Sequence, residues 1–315
     1  MLSSDNQGRS IEFLDDVISG LSMEQKALSP KYLYDANGSA LFDKICELDE
    51  YYPTRTEVGL LSERANEIAK LVNGQHLIEF GSGSSTKIRI LLDAADGLAS
   101  YVPVDISREH LLGAAGSISS DYPDLEVIPV CADFTKSFDL PDVVDNGTKA
   151  GFFPGSTIGN FSRNEAKDFL SMAARMLGEG GGLVIGVDLK KDPRLLQAAY
   201  NDQQGVTAEF NLNLLTRINR ELDGNFDLNA FTHDARYVND KGRVEMHLIS
   251  QKEQVVTISG HAFNFKQDES IHTENSHKYD IAEFHDIGRE TGFEPSQTWT
   301  DSNELFSVHY LKVAA

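Results

Sequence analysis

The chain is predicted to be an α/β protein, with a mostly parallel, doubly wound sheet, a C-terminal antiparallel hairpin, and a second α/β domain. Three observations carry that expectation. An apolar run, a glycine-serine turn and a helical pattern follow one another without a gap in "HLIEFGSGSSTKIRILLDAA", the order of a nucleotide-binding strand-turn-helix unit. Two further strand-like runs, "YVPVD" and "LEVIPVCADF", end in acidic residues. Strands then alternate with helices as far as "GGGLVIGVDL", which is how a parallel sheet with crossover helices is built.

The segment before "YYP" fits no strand-helix-strand pattern. After it, Thr54 and Glu57 have capping-box spacing, and Val58, Leu61, Ala65, Ile68 and Leu71 share one helical face. Leu77, Ile78 and Phe80 make a short buried strand, Gly81 and Gly83 turn the backbone, and Ile88, Leu91 and Leu92 put an apolar stripe on the next helix. The spacing Gly-x-Gly-x-x-Thr lacks the third glycine of a dinucleotide fingerprint, and Glu79 stands just before the turn. Asp105 ends the next strand, where an acid is expected to take ribose hydroxyls. Asp133 and Phe134 end the third, an acid-aromatic pair suited to an adenine amino group and ring. Strand ends of this kind fit a binding crevice at the carboxyl edge of a parallel sheet.

The run from Ala150 to Leu189 reads as strand, loop, helix with a Ser162–Glu165 capping box, glycine turn and strand. After Lys191 a helical stretch to about Leu222 is followed by hairpin signals, with "NDKG" between alternating runs. Val244, Met246 and Leu248 are expected to face one way and Glu245 and His247 the other. "FEPSQTWTD" and "LFSVHYLKV" close the sheet as a hairpin.

With 315 residues, 40% of them hydrophobic, the chain can bury a substantial core in one large or two modest domains. A formal charge of −21 argues against nucleic acid or an anionic membrane as partner. No basic segment leads into an apolar one at the start, and no stretch of roughly 18 apolar residues occurs. A cytoplasmic protein is expected. Cys46 and Cys131 lie far apart without a metal-binding spacing, so they read as core thiols rather than a disulfide framework or a zinc motif.

Several strings together resemble one family. "SPKYLYDANGSALFD", "YYPTRTE", "GSGSSTK", "GSTIGN", "AYNDQQGVTAEFN", "RVEMHL" and "TENSHKY" are similar to the S-adenosylmethionine-dependent L-histidine Nα-methyltransferases of ergothioneine biosynthesis. The resemblance implies a Rossmann-like methyltransferase domain, here residues 57–190 and 279–315, with a substrate-binding domain of residues 1–56 and 191–278. It implies S-adenosyl-L-methionine near Tyr34, Gly81, Lys87, Asp105 and Gly155, with adenine near Asp133 and Phe134. Gly155 and Thr157 are expected where sulfonium and amine meet. Asn160 and Tyr200 resemble the family's grip on the substrate carboxylate, Tyr51, Met246, Glu274 and Ser276 its imidazole pocket, and Phe42 and Phe210 its apolar wall. His247 follows the methionine where another aromatic can occur.

The implied reaction moves methyl groups to the α-amine of L-histidine three times, giving hercynine, with no metal. Thr157 and Tyr34 are candidates for orienting the amine, and the proton acceptor is left open. A monomer is expected. The competing readings are a relative acting on another amino acid such as a tryptophan derivative, a nicotinamide-dependent oxidoreductase, and a non-catalytic adenosine-binding module. Met246 and Glu274 speak against an indole, which has more bulk and one donor. The missing third glycine speaks against a dinucleotide.

Overall fold

A computed structural model describes residues 4–314 apart from 73, 84, 145 and 146, with side chains from residue 11 onward. In chain order, the first elements are α1 (Ser4–Leu21), α2 (Ala36–Glu47), α3 (Tyr52–Val72), β1 (His76–Phe80), α4 (Thr86–Ala94), β2 (Ser100–Asp105) and α5 (Arg108–Asp121). Next come β3 (Val130–Cys131), β4 (Lys149–Phe153), α6 (Arg163–Leu177), β5 (Gly182–Asp188), α7 (Pro193–Tyr200) and α8 (Val206–Glu221). The remainder is β6 (Phe231–Val238), β7 (Arg243–Ser250), β8 (Gln254–Ile258), β9 (His261–Phe265), β10 (Ser270–His277), α9 (Ile281–Glu290), β11 (Phe293–Thr300) and β12 (Phe306–Val313). The chain divides into two compact units, Met1–Tyr51 with Asp192–Ser276, and Tyr52–Lys191 with His277–Ala315.

The second unit holds a seven-stranded sheet in the order β11-β12-β5-β4-β1-β2-β3. β1 pairs in parallel with both β2 and β4, while β12 runs antiparallel to β5 and to β11. The chain therefore winds outward from β1 to one side, returns, and winds to the other. That reversal puts a topological switch between the carboxyl ends of β1 and β4. Successive side chains feed opposite faces. Ile78 and Phe80 join a core with Phe169 and Leu170 of α6 and Phe284 of α9, whereas Leu77 joins Leu61 and Ile68 of α3, Ile88 of α4 and Ile118 of α5.

Several local expectations need correction. The helix expected after "YYP" begins at Tyr52, so Thr54 and Glu57 lie inside it and form no cap. Proline is well tolerated in a first turn, so Pro53 does not delay the start. Its buried line runs through Glu57, Leu60, Leu61, Ile68 and Val72, while Val58, Ala65 and Leu71 are only half-buried. The third strand shrinks to Val130–Cys131, because Pro129 has no N–H for the ladder. Cys46 and Cys131 are half-buried thiols outside any disulfide, rather than fully buried core ones. The Ser162–Glu165 capping box is present, with both reciprocal bonds made.

In the first unit β6 and β7 form the hairpin marked by "NDKG", within a three-stranded sheet of order β10-β7-β6, and β8 pairs with β9. The helical stretch after Lys191 is two helices, parted where Asp202 accepts bonds from the Val206 and Thr207 amides. β7 is the middle strand, and its burial pattern shows both of its faces covered. Val244, Met246 and Leu248 are buried, and so are Glu245 and His247.

Candidate active site

In the second unit the candidate cofactor residues stand at the carboxyl ends of neighbouring strands. Gly81 follows β1 with φ +75°, and a Cβ built there would lie 3.4 Å from the Phe134 ring. Phe134 packs edge-on against Phe153 at 5.7 Å and Phe169 at 6.2 Å. Asp105 ends β2 and accepts the Ser107 amide at 2.8 Å. Asp133, beyond β3, accepts the Thr135 amide at 3.0 Å. These bonds aim each carboxylate while leaving lone pairs for further donors.

The turn after β4 is held from α3. Glu57, 1% exposed, accepts the Gly155 amide on both oxygens at 2.9 Å and pairs with Lys87 at 2.6 Å. Gly155 has φ +82°, and a Cβ there would stand 3.4 Å from both Lys87 Nζ and Thr157 Oγ1. The structure thus gathers Gly155, Lys87 and Thr157 around one turn. Thr157 donates to the Pro154 carbonyl at 3.0 Å, and Asn160 closes the same short 3-10 turn, half-buried. At the end of β5, buried Asp188 accepts from Tyr52 at 2.8 Å and Lys278 at 2.6 Å and also pairs with Lys191. Burial, and then the second ammonium of Lys278, push Lys191 down to about 8 against the pull of Asp188.

The first unit gathers an aromatic group. Tyr34 meets Phe42 and Phe210 edge-on at 5.6 and 5.5 Å, and Tyr51 meets Phe42 at 6.2 Å and Tyr200 at 6.1 Å. The Tyr200 and Ser276 hydroxyls share a hydrogen bond of 2.7 Å. Burial, then the surrounding Tyr200, Cys46, Tyr34 and Glu274, raise Tyr51 well above the ordinary phenol range, so its hydroxyl stays protonated. Glu274 is buried, at 7% exposure, and within electrostatic reach of that ring. Met246 is buried on β7, where its carbonyl accepts from Thr273.

Residues missed from the sequence include Glu57, read as a cap, and the Asp188 cluster. One signal for Glu57 was present: Gly186 interrupts an apolar strand, and a Cβ there would sit 2.0 Å from Glu57 Oε1. A glycine inside a strand marks such a close approach. Ser82 and Ser85, flanking Gly83 in the turn, have buried hydroxyls with no hydrogen-bond partner among the described residues. Ser84 of the same turn lies outside those residues. A buried hydroxyl left unpaired is costly, so this turn fits a polar ligand at its backbone.

A family model described as "Histidine-specific methyltransferase, SAM-dependent" matches residues 13–313. The chain belongs to this family. The methyltransferase is 41% identical over 295 residues to a histidine N-alpha-methyltransferase of Mycolicibacterium smegmatis, covering 91% of this chain and 90% of that protein. It is 40% identical over 269 residues to the protein of that name in Mycobacterium tuberculosis, covering 84% and 83% respectively. To ergothioneine biosynthesis protein 1 of Neurospora crassa it is 32% identical over 290 residues, covering 89% of this chain and 32% of that protein. S-adenosylmethionine is therefore its methyl donor. Among the described residues no helix of the methyltransferase is long and apolar enough to cross a membrane.

Proposed function

We propose that the chain methylates the α-amine of L-histidine in three rounds to give hercynine, a step toward ergothioneine. The observation that carries this reading is the 41% identity to a histidine N-alpha-methyltransferase over nearly the full length of both proteins. The second unit is proposed as the cofactor domain and the first as the substrate domain. Gly81, Lys87, Asp105, Asp133, Phe134, Gly155 and Tyr34 are proposed to hold S-adenosylmethionine. The orphaned Ser82 and Ser85 hydroxyls at the glycine turn support that assignment.

When bound, the cofactor supplies an activated methyl group on a sulfonium that is already a good leaving group. The residues of the chain are left to position the amine and to let it lose its proton, since only a free lone pair attacks. Thr157 and Tyr34 are proposed to orient it. The Thr157 hydroxyl gives its proton to the Pro154 carbonyl, so its lone pairs can accept from the amine. Asn160 and Tyr200 are proposed for the substrate carboxylate, Tyr51, Met246, Glu274 and Ser276 for the imidazole, and Phe42 and Phe210 for the apolar wall. The Tyr200 and Ser276 hydroxyls hold each other through one hydrogen bond, which fixes both side chains in place. Glu274 is proposed to accept an imidazole N–H, and a side chain without that donor forgoes this charge-assisted hydrogen bond.

The test is the ratio of kcat/KM for histidine over tryptophan. Glu274→Ala is expected to lower it roughly ten- to hundredfold, the scale of about 1.5–3 kcal/mol for a hydrogen bond to a charged group. Adding Met246→Val is expected to lower it further by opening room for a second ring. An unchanged ratio in variants that still bind S-adenosylmethionine would remove Glu274 from the imidazole site.

A further inference from the structure

The sheet β10-β7-β6 carries a side-chain cluster that methyl transfer does not use. Glu245 and His247 stand two residues apart on β7 and so share a face, and His272 comes from β10. A carboxylate oxygen of Glu245 and one ring nitrogen of each histidine all lie within 4.8 Å of one another. The two imidazoles stack with centroids 4.9 Å apart and planes at 26°. His247 is 4% exposed, and its Nδ1 is buried with no hydrogen-bond partner among the described residues. An orphaned, buried ring nitrogen beside a second imidazole and a carboxylate asks for an electrophile.

Outer contacts hold these groups as ligands are held. His272 Nε2 lies 3.1 Å from the Glu274 carbonyl, so as a donor there it leaves the Nδ1 lone pair for coordination. Glu245 Oε1 accepts from Arg243 Nε at 2.9 Å and from Lys241 at 3.2 Å, while Oε2 faces His247 Nε2 at 3.2 Å.

We propose that Glu245, His247 and His272 form a binding site for a divalent transition metal of the zinc type. Two imidazoles and a carboxylate are the donor set such ions take, with a fourth position for water. The histidines sit on different strands far apart in sequence, which is why no ligand spacing marks the site. Closing it ties β7 to β10, so the metal acts on the stability of the first unit and not as a reactant. Arg243 and Lys241 oppose the added charge and limit the affinity.

The full chain, freed of metal by a chelator, is titrated with Zn2+ against a chromophoric chelator and with Co2+ by visible absorption. One equivalent of each is expected, the Co2+ complex showing the intense band of four-coordination. His247→Ala and His272→Ala are each expected to weaken Zn2+ binding at least about tenfold, whereas His261→Ala, at an exposed position on β9, leaves it unchanged. His247→Phe keeps a ring against His272 and serves if the alanine variant unfolds. Failure of the parent chain to bind one equivalent, or binding that survives the His247 and His272 substitutions, overturns the site. Neither result touches the methyl-transfer reading.

Discussion

Glu57 and Glu79 are buried carboxylates of opposite kinds. Glu57 is paired with Lys87 and caps the Gly155 amide, so removing it would strand a half-buried ammonium, at a cost of about 3–5 kcal/mol. Glu79 is different. Burial pushes its carboxyl up to about 8, although the Tyr101 hydroxyl bond and Lys87 favour the charged form. Between its ordinary value of 4.5 and about 8, the folded chain holds a proton that the unfolded chain has released. Stability must then fall as pH rises through that window, by at most about 1.4 kcal/mol per pH unit. Glu79→Gln is expected to flatten this slope and to gain on the parent chain as pH rises from about 5 to about 8. Urea unfolding midpoints at the two pH values check it, and parallel slopes would mean that Glu79 ionises normally. At this scale the sequence was partly legible. Asp105, Asp133 and Phe134 could be placed at strand ends, whereas Gly155 was named only through the family resemblance, and the fate of Glu57 depends on Gly186, a residue remote in the chain.

The helices and strands follow local chemistry where local chemistry is strong. Ser162 caps α6 and Glu165 returns the bond, so the start of that helix could be read from four letters. Ser162→Ala is expected to cost about 1 kcal/mol, seen as a lower urea midpoint with cofactor affinity unchanged. A midpoint equal to that of the parent chain would mean the cap contributes nothing. The strand-turn-helix from β1 to α4 was legible for the same reason: a solid apolar run, positive-φ glycine at Gly81 and a buried stripe at Ile88, Leu91 and Leu92 agree. α3 was less so. An apolar stripe is broad enough that a shift of one residue leaves the pattern nearly intact, and Glu57 occupies a buried position that a polar residue normally avoids. Alternation along β7 gave its two faces, but not that both are covered: Val244, Met246 and Leu248 are buried, and so are Glu245 and His247.

For the whole molecule, the change from strand-helix alternation to hairpins after Lys191 separated two kinds of chain, and the compact units divide at Tyr51/Tyr52 and Lys191/Asp192. The mostly parallel sheet with its antiparallel end was legible from the succession of elements, because crossover connections restrict a parallel sheet to few arrangements, whereas the strand order came from the structure. The Asp188 cluster was not, since Tyr52, Lys191 and Lys278 come from separate segments and each reads alone as an ordinary surface or packing residue. Activity belongs to this scale, and the claim that matters most is that histidine is methylated on its α-amine. Purified chain is incubated with L-histidine and S-adenosylmethionine, and the products are followed in time by mass spectrometry with fragmentation. Species carrying one, two and then three added methyl groups, all on the α-nitrogen and ending at hercynine, are expected. Methyl groups on the imidazole ring, or an untouched histidine while another amino acid is methylated, would contradict it.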